Sequence, residues 1–353
     1  MKTFAIIGGG PVGLYSALLL AQKGHEVTVF EKRNYPIDKV CGQGIMPKGR
    51  KLLHEVGIVF NPKNSHQFSG IQYIDEEIQL NGLLNHKGIA VERSTLSQLL
   101  YNKCCETNLI KIVQDKLIDL KAFATYSELI FESDKTESFR YVLSCDGLHS
   151  KVRDLLGLTK EHPKRKRKGA RFHFQDPHPK DHVQVHWKKN IEAYITPVNE
   201  NHSELAFLWE DPVTLPKGGE DGPIDFLKRQ FPELESAFNH RQNDFKVYGP
   251  FNKSSKKIRY RNVFFLGDAY HFADGITGEG ISLGIRTSHY LIHRISNFNL
   301  LHEMIIKCWY IKYLFFVWFA LKLSRYPQFR RFLFRFFEPR KTLFNYVLEL
   351  NDL

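Results

Sequence analysis

Three glycines at a strand–helix boundary constrain this chain more than any other feature of its sequence. Thr3-Phe4-Ala5-Ile6-Ile7 is a short β-rich run that ends at Gly8-Gly9-Gly10. From Pro11 to Lys23 the pattern turns helical, with Leu14, Ala17, Leu18 and Ala21 on one side and Gly24 as a stop signal. Glu26 to Phe30 is a second apolar strand, with Glu31 at its end. Strand, glycine turn, helix and strand within about thirty residues make a complete βαβ unit. Gly8-x-Gly10-x-x-Gly13 therefore lies where a dinucleotide fingerprint must lie. Gly8 permits the tight turn, Gly10 lets backbone approach a pyrophosphate, and Gly13 allows helix and strand to pack closely. Glu31 is placed to accept hydrogen bonds from ribose hydroxyls. Val12 and Lys32, beside the turn and the acid, join the expected contacts. A purely structural turn is the poorer reading, because consecutive glycines cost backbone entropy with no return unless a ligand comes close.

Two later motifs select the cofactor. Cys145-Asp146-Gly147-Leu148-His149-Ser150-Lys151-Val152-Arg153 resembles a D-G motif, and Phe265-Leu266-Gly267-Asp268-Ala269-Tyr270-His271 resembles a G-D motif. With the first fingerprint they resemble the para-hydroxybenzoate hydroxylase-like flavoprotein superfamily, which includes group A aromatic monooxygenases and geranylgeranyl reductases. The resemblance implies FAD as cofactor, with Asp268 on the ribityl hydroxyls, Arg93 on the central part of the cofactor, and Asp146 and Gly267 among the contacts. In Thr277-Gly278-Glu279-Gly280-Ile281, a helix start would aim N–H groups at the flavin N1/O2 edge, so Gly278, Gly280 and Ile281 complete the expected set.

The implied fold is α/β: a Rossmann-like, glutathione-reductase-type parallel FAD sheet, a mainly antiparallel substrate sheet, and C-terminal helices. Residues 1–65, 92–165 and 258–300 would form the discontinuous FAD domain, 66–91 and 166–257 the substrate domain, and 301–353 a helical, basic-aromatic tail. The spacing predicts a helix over 94–104 capped by Ser94 or Thr95, half-buried antiparallel strands over 170–210, and a loop over 211–223.

Two chemistries fit these motifs. An NAD(P)H-dependent monooxygenase would pass oxygen from a flavin C4a-hydroperoxide to a hydrophobic small molecule; a geranylgeranyl-reductase-like enzyme would deliver hydride from flavin to a C=C bond. The Cys41-Gly42-Gln43-Gly44 loop, the Thr277–Ile281 run and Tyr194-Ile195-Thr196-Pro197 resemble the reductase branch. Hydroxylation is placed slightly ahead. A non-catalytic flavin- or lipid-binding protein is the reading from another class. No W-x-W-x-I-P halogenase motif and no second G-x-G-x-x-G is present. Cys41, Tyr194 and His271 are candidates for positions near the flavin, each equally readable as a packing or hydrogen-bonded residue; no essential catalyst is assigned.

Net charge is +12, which suits an anionic surface or ligand. Lys164-Arg165-Lys166-Arg167-Lys168 reads as a solvated entry to a strand, since no nucleic-acid-binding motif accompanies it. Five scattered cysteines show neither metal-ligand spacing nor a disulfide framework, so a reducing, cytoplasmic setting and no metal are expected. No stretch of about 18 uncharged apolar residues is expected to span a bilayer. Residues 309–341 nevertheless combine Trp309, Tyr313, Phe315, Trp318 and Phe319 with Lys322, Arg325, Arg330, Arg331, Arg335, Arg340 and Lys341. Peripheral contact with anionic lipid and a helical pair packed on the FAD domain both remain open. Oligomeric state and substrate identity are not legible.

Overall fold

The strand Lys2–Ile7 runs at the centre of an eight-stranded sheet, parallel to Val27–Glu31 on one side and Thr136–Ser144 on the other. In this computed structural model, residues 2–39, 41–163, 166–210, 213–216, 221–243 and 245–351 are described. Val263–Phe265 and Ile110–Gln114 extend the parallel part outward, and the antiparallel strands Leu117–Ala122 and Ser127–Phe131 form a flap beside it. Phe4 to Ile7 and Val263 to Phe265 are all buried. Continuous apolar runs are what a parallel sheet covered on both faces requires. The helices Pro11–Gln22, Arg93–Cys105 and Gly280–Ile292 supply that cover. The second of these starts one residue ahead of the expected range and its N-cap is Glu92, not Ser94 or Thr95.

A second eight-stranded sheet runs in the order Lys246–Tyr248, Lys168–Gln175, His202–Trp209, Ile191–Pro197, His182–Lys188, His66–Asp75, Ile78–Ala90, Gly44–Ile45. It is antiparallel except where His182–Lys188 meets His66–Asp75. Period-two alternation divides its faces. Phe172, Phe174, Ala193, Leu205 and Phe207 pack against Leu227, Phe231 and Phe238 from the helices that follow. Arg171, His173, Tyr194 and Glu204 point the other way, toward the loops around Asp38–Gln43 and Asp274–Ile276. The expected loop over 211–223 lies partly outside the described residues, and a helix already begins at Asp221.

The chain ends in the helices Leu300–Arg325, Pro327–Phe337 and Lys341–Asn351. The first corrects an expectation: at 26 residues with mean hydropathy 1.5 over its best window, it is long and apolar enough to cross a membrane. Charges scattered along it at Glu303, Lys307, Lys312 and Lys322 hid that length from a count of uncharged residues. Ile306, Tyr310, Tyr313 and Val317 are buried against the protein, whereas Met304, Ile311, Phe315 and Trp318 are exposed. The two stripes follow the same helical spacing on opposite faces.

Candidate functional site

Steric demand explains the glycine turn. Gly8 has φ +101°, and a Cβ there would lie 2.6 Å from Cys145 O. A Cβ on Gly13 would collide with Gly8 O, and one on Gly9 with the Tyr35 hydroxyl. At Gly10 the nearest atom would be Arg93 Nη2 at 3.7 Å, so that side of the turn is open. The helix Pro11–Gln22 begins with Gly10 at its N-cap and no side-chain cap, which leaves its first N–H groups directed at the open side. Val12, by contrast, spends its side chain on packing against Gly267 and Gly284.

Glu31 is buried at the end of its strand. Oε2 accepts the Gly9 N–H at 2.8 Å, and Oε1 accepts from Arg33 N and Nε at 3.1 and 3.0 Å. The acid thus first shapes the turn itself. A carboxylate offers about four acceptor positions, so capacity remains for a ligand hydroxyl. Lys32 is exposed beside it.

Asp268 and Arg93 come to the same place from distant parts of the chain. Lys39 Nζ is 3.1 Å from Asp268 Oδ2 and lies 5.1 Å from the centre of the Tyr248 ring. Burial would lower the Lys39 ammonium, but the charge and hydrogen bond of Asp268 together with Tyr248 outweigh it and hold the group above its usual range. Arg93 is drawn down by burial, with Cys41 and Asp268 acting against that shift. Its Nε is buried with no hydrogen-bond partner among the described residues. Nothing local in the sequence marks Lys39 or Tyr35 for these roles.

Asp146 turns inward. It accepts from Ser144 Oγ at 2.7 Å and from Val152 N at 3.2 Å, and burial raises its pKa. Its backbone abuts Gly8. The D-G and G-D loops are joined by Arg153, fully buried, which donates to Leu148 O at 2.6 Å and Ala269 O at 3.1 Å. The sequence gives no local sign of this brace, because an arginine in a short basic run reads no differently when buried.

A second uncapped helix start faces Asp268. The helix Gly280–Ile292 has Glu279 at its N-cap with no side-chain cap, and a Cβ on Gly280 would stand 4.0 Å from Asp268 Oδ1. Gly267 and Gly278 hold φ +56° and +70°; only glycine takes such values without strain. Ile281 is half-buried, and Thr277 Oγ1 is buried without a hydrogen-bond partner among the described residues. Tyr194 donates its hydroxyl to Ile276 O at 3.0 Å, and burial, aided by Glu192, raises its pKa. His271 lies against His162 and Tyr310, with ring centres 5.9 and 6.2 Å away. Burial also raises the Cys41 thiol, against the pull of Arg93.

Over this groove, the inner face of the second sheet is polar at one end. Arg171 is 2.5 Å from Asp38 Oδ1 and 3.3 Å from Glu204 Oε2, and His173 meets Gln43 Oε1 at 3.0 Å. The expected solvated run is corrected here too. Lys164 and Arg165 lie outside the described residues, but Arg167 is buried and paired with Glu192 and Asp274.

Two uncapped helix N-termini, an open glycine side and orphaned polar atoms on Arg93 and Thr277 form one elongated groove whose donors fit a diphosphate-bridged flavin. This fold and groove define an FAD-dependent oxidoreductase of the para-hydroxybenzoate hydroxylase-like superfamily. A family model described as "FAD binding domain" matches residues 119–298, more than half of the chain, and an "NAD(P)-binding Rossmann-like domain" matches residues 6–37. The chain belongs to that FAD-binding family. It is 28% identical to kynurenine 3-monooxygenase of Candida albicans, over 84% of this chain and 73% of that one. Squalene monooxygenase of Mus musculus is 24% identical over 80% of this chain and 52% of its own length. A crystal structure of a flavoprotein/dehydrogenase from Cytophaga hutchinsonii superimposes with a TM-score of 0.78, covering 91% of this chain and 86% of that one at 16% identity.

Proposed function

We propose that this protein is an NAD(P)H-dependent flavin monooxygenase that hydroxylates a hydrophobic small molecule. The observation that carries the reading is the convergence of Gly8–Gly13, Arg93, Asp268 and the Gly280 helix start on one groove roofed by the second sheet. Bound FAD supplies two-electron reduction and activation of molecular oxygen. The chain's own residues position and shield it. The backbone N–H groups of Gly10, Val12 and Gly13 would bind the pyrophosphate. Glu31 takes the adenine-side ribose, Asp268 the ribityl chain and Arg93 the centre of the cofactor. The start of helix Gly280–Ile292 places N–H groups where negative charge gathers on reduction. Tyr194 holds the loop through its donated hydrogen bond, and Cys41, kept protonated by burial, packs rather than attacks. The FAD-domain segments 1–65, 92–165 and 258–300 and the substrate segments 66–91 and 166–257 share the work along the boundary between the two sheets.

We further propose that the tail docks on an anionic bilayer. Ile311, Phe315 and Trp318 continue into Phe329, Phe332 and Phe336 as an exposed apolar band, with Arg335, Arg340 and Lys341 exposed beside it. Not every basic residue of the tail is available: Arg330 is buried on Asp75, Arg331 pairs with Asp75 and Glu76, and Arg325 pairs with Glu210. Because the opposite face of the long helix is packed on the protein, it lies along the surface rather than across it. Such a surface would favour a lipophilic substrate drawn from the bilayer.

Anaerobic mixing with NADH and then NADPH tests the reaction class. Flavin bleaching followed by substrate-stimulated oxygen uptake and an oxygenated product supports the reading. Anaerobic saturation of an alkene with no oxygen requirement replaces it with C=C reduction.

A further inference from the structure

Arg167 is 4% exposed, Glu192 fully buried and Asp274 3% exposed, yet they form one charged cluster. Arg167 Nη2 donates to Glu192 Oε2 at 2.6 Å, and Nε stands 2.7 Å from Asp274 Oδ2 as an ion pair rather than an aligned hydrogen bond. Taking three charges out of water costs several kcal/mol per ion, and a buried ion pair often stabilises a fold no better than apolar side chains of the same volume. What such a pair does provide is direction, because it holds oxygen atoms at fixed positions.

Those positions belong to the loop that leads into helix Gly280–Ile292. Asp274 Oδ1 accepts the Ile276 N–H at 3.0 Å, so Arg167 grips the side chain that shapes the next turn. Tyr313, on the inner face of the long tail helix, donates to Asp274 O at 2.7 Å. Tyr194, from the second sheet, donates to Ile276 O at 3.0 Å. Contacts from three separate elements thus hold Asp274 to Ile276, immediately before the buried Thr277 hydroxyl and the left-handed Gly278.

We infer that Arg167 is a positioning residue for the flavin-edge loop: through Asp274 it sets the path of Asp274–Gly278 and so the aim of the N–H groups at the start of the following helix. This rests on the reading of that helix start as the flavin contact. The guanidinium does not touch the reacting atoms. Its influence on the cofactor passes through the loop, and Glu192 keeps it oriented from the opposite side. Tyr313 ties the same loop to the tail helix.

The test uses the full chain stripped of FAD and titrated with FAD by fluorescence quenching, together with the midpoint potential of the reconstituted protein and urea unfolding of the stripped form. Arg167→Met should weaken FAD binding about tenfold or more, equivalent to about 1.4 kcal/mol or more, and should shift the midpoint potential. Arg167→Lys should recover part of both. Asp274→Asn should act in the same direction, and adding it to Arg167→Met should change little further, as expected for two members of one unit. If Arg167→Met does not fold, Asp274→Asn and Tyr313→Phe decide the matter by the same two flavin readouts. Variants with wild-type FAD affinity and midpoint potential overturn the inference, as does a loss confined to the urea midpoint, which would make the cluster a prop for the fold. A wild-type chain that takes up no FAD removes the cofactor reading itself and this inference with it. A wild type that binds FAD beside indifferent variants removes only the role of Arg167.

Discussion

Lys39 Nζ lies 3.1 Å from Asp268 Oδ2, which joins the loop after the second strand to the G-D motif 229 residues later. Both side chains are about one-quarter exposed, so the pair sits at the edge of the groove rather than sealed beneath it. Asp268 is thus held in place by a cation, ready for the ligand hydroxyl that the proposed function assigns to it.

Asp268→Ala should therefore remove a ligand contact and leave Lys39 without its partner. The expected result is at least about a tenfold rise in the FAD dissociation constant, since hydrogen bonds to charged groups contribute about 1.5–3 kcal/mol. Lys39→Met should cost less, about threefold, because Asp268 itself remains. Equilibrium titration of the stripped protein separates the two.

The groove's backbone predicts a contrast between two glycines. Gly13→Ala places a methyl against Gly8 O and should abolish FAD retention and lower stability by several kcal/mol; nothing beside it can yield, because the obstacle is backbone. Gly24→Ala instead meets a left-handed φ of +79°, and open space surrounds it. Its cost should stay near about 1 kcal/mol, with FAD binding intact. Urea unfolding and the absorbance ratio of purified protein check both.

Arg153→Met should destabilise by about 2–4 kcal/mol, because it leaves Leu148 O and Ala269 O buried without their donor. The two flavin loops lose their brace together, so FAD affinity should fall with stability. Unchanged affinity in a destabilised variant would confine Arg153 to the fold.

Stability should fall on acidification through His173 and His186. Burial lowers each to about 4, with Arg171 adding to the effect at His173 while Glu233 opposes it at His186. An unfolded histidine titrates near 6.5, so below that pH the unfolded chain binds more protons than the folded one. The stability each neutral ring contributes is complete above about 6.5, declines as pH falls, and is gone below about 4. Glu204, raised by burial, acts in the opposite sense: its contribution is present at low pH and is lost as pH rises through its folded value. His173→Gln should flatten the slope of unfolding free energy between pH 4.5 and 6.5; an unchanged slope would show that its neutral state is not linked to folding.

Docking of the tail predicts that the protein co-sediments with anionic vesicles and not with zwitterionic ones, and less so at high salt. Trp318 should show a blue-shifted emission on binding. Phe315→Ser with Trp318→Ser should abolish sedimentation while leaving FAD content unchanged, since both side chains are exposed in the structure. Binding that survives this pair would place the membrane contact elsewhere.

The βαβ unit, the two flavin motifs and the alternation over the second sheet were readable along the chain because each is written in neighbouring residues: a glycine before a helix, or a period of two or 3.6. FAD chemistry followed from the order of those motifs. What the chain alone could not reveal is which charges leave water. Arg167 reads as solvated and Arg330 as one of the tail's basic residues, yet one grips Asp274 and the other sits 2.9 Å from Asp75, 255 positions away. Charged side chains are seldom buried without a partner, and the partner exists only once the sheets and tail have packed. The long tail helix shows the same division. Its apolar content was plain from composition, but only packing decided that Tyr313 turns inward to the flavin loop while Trp318 turns out to solvent.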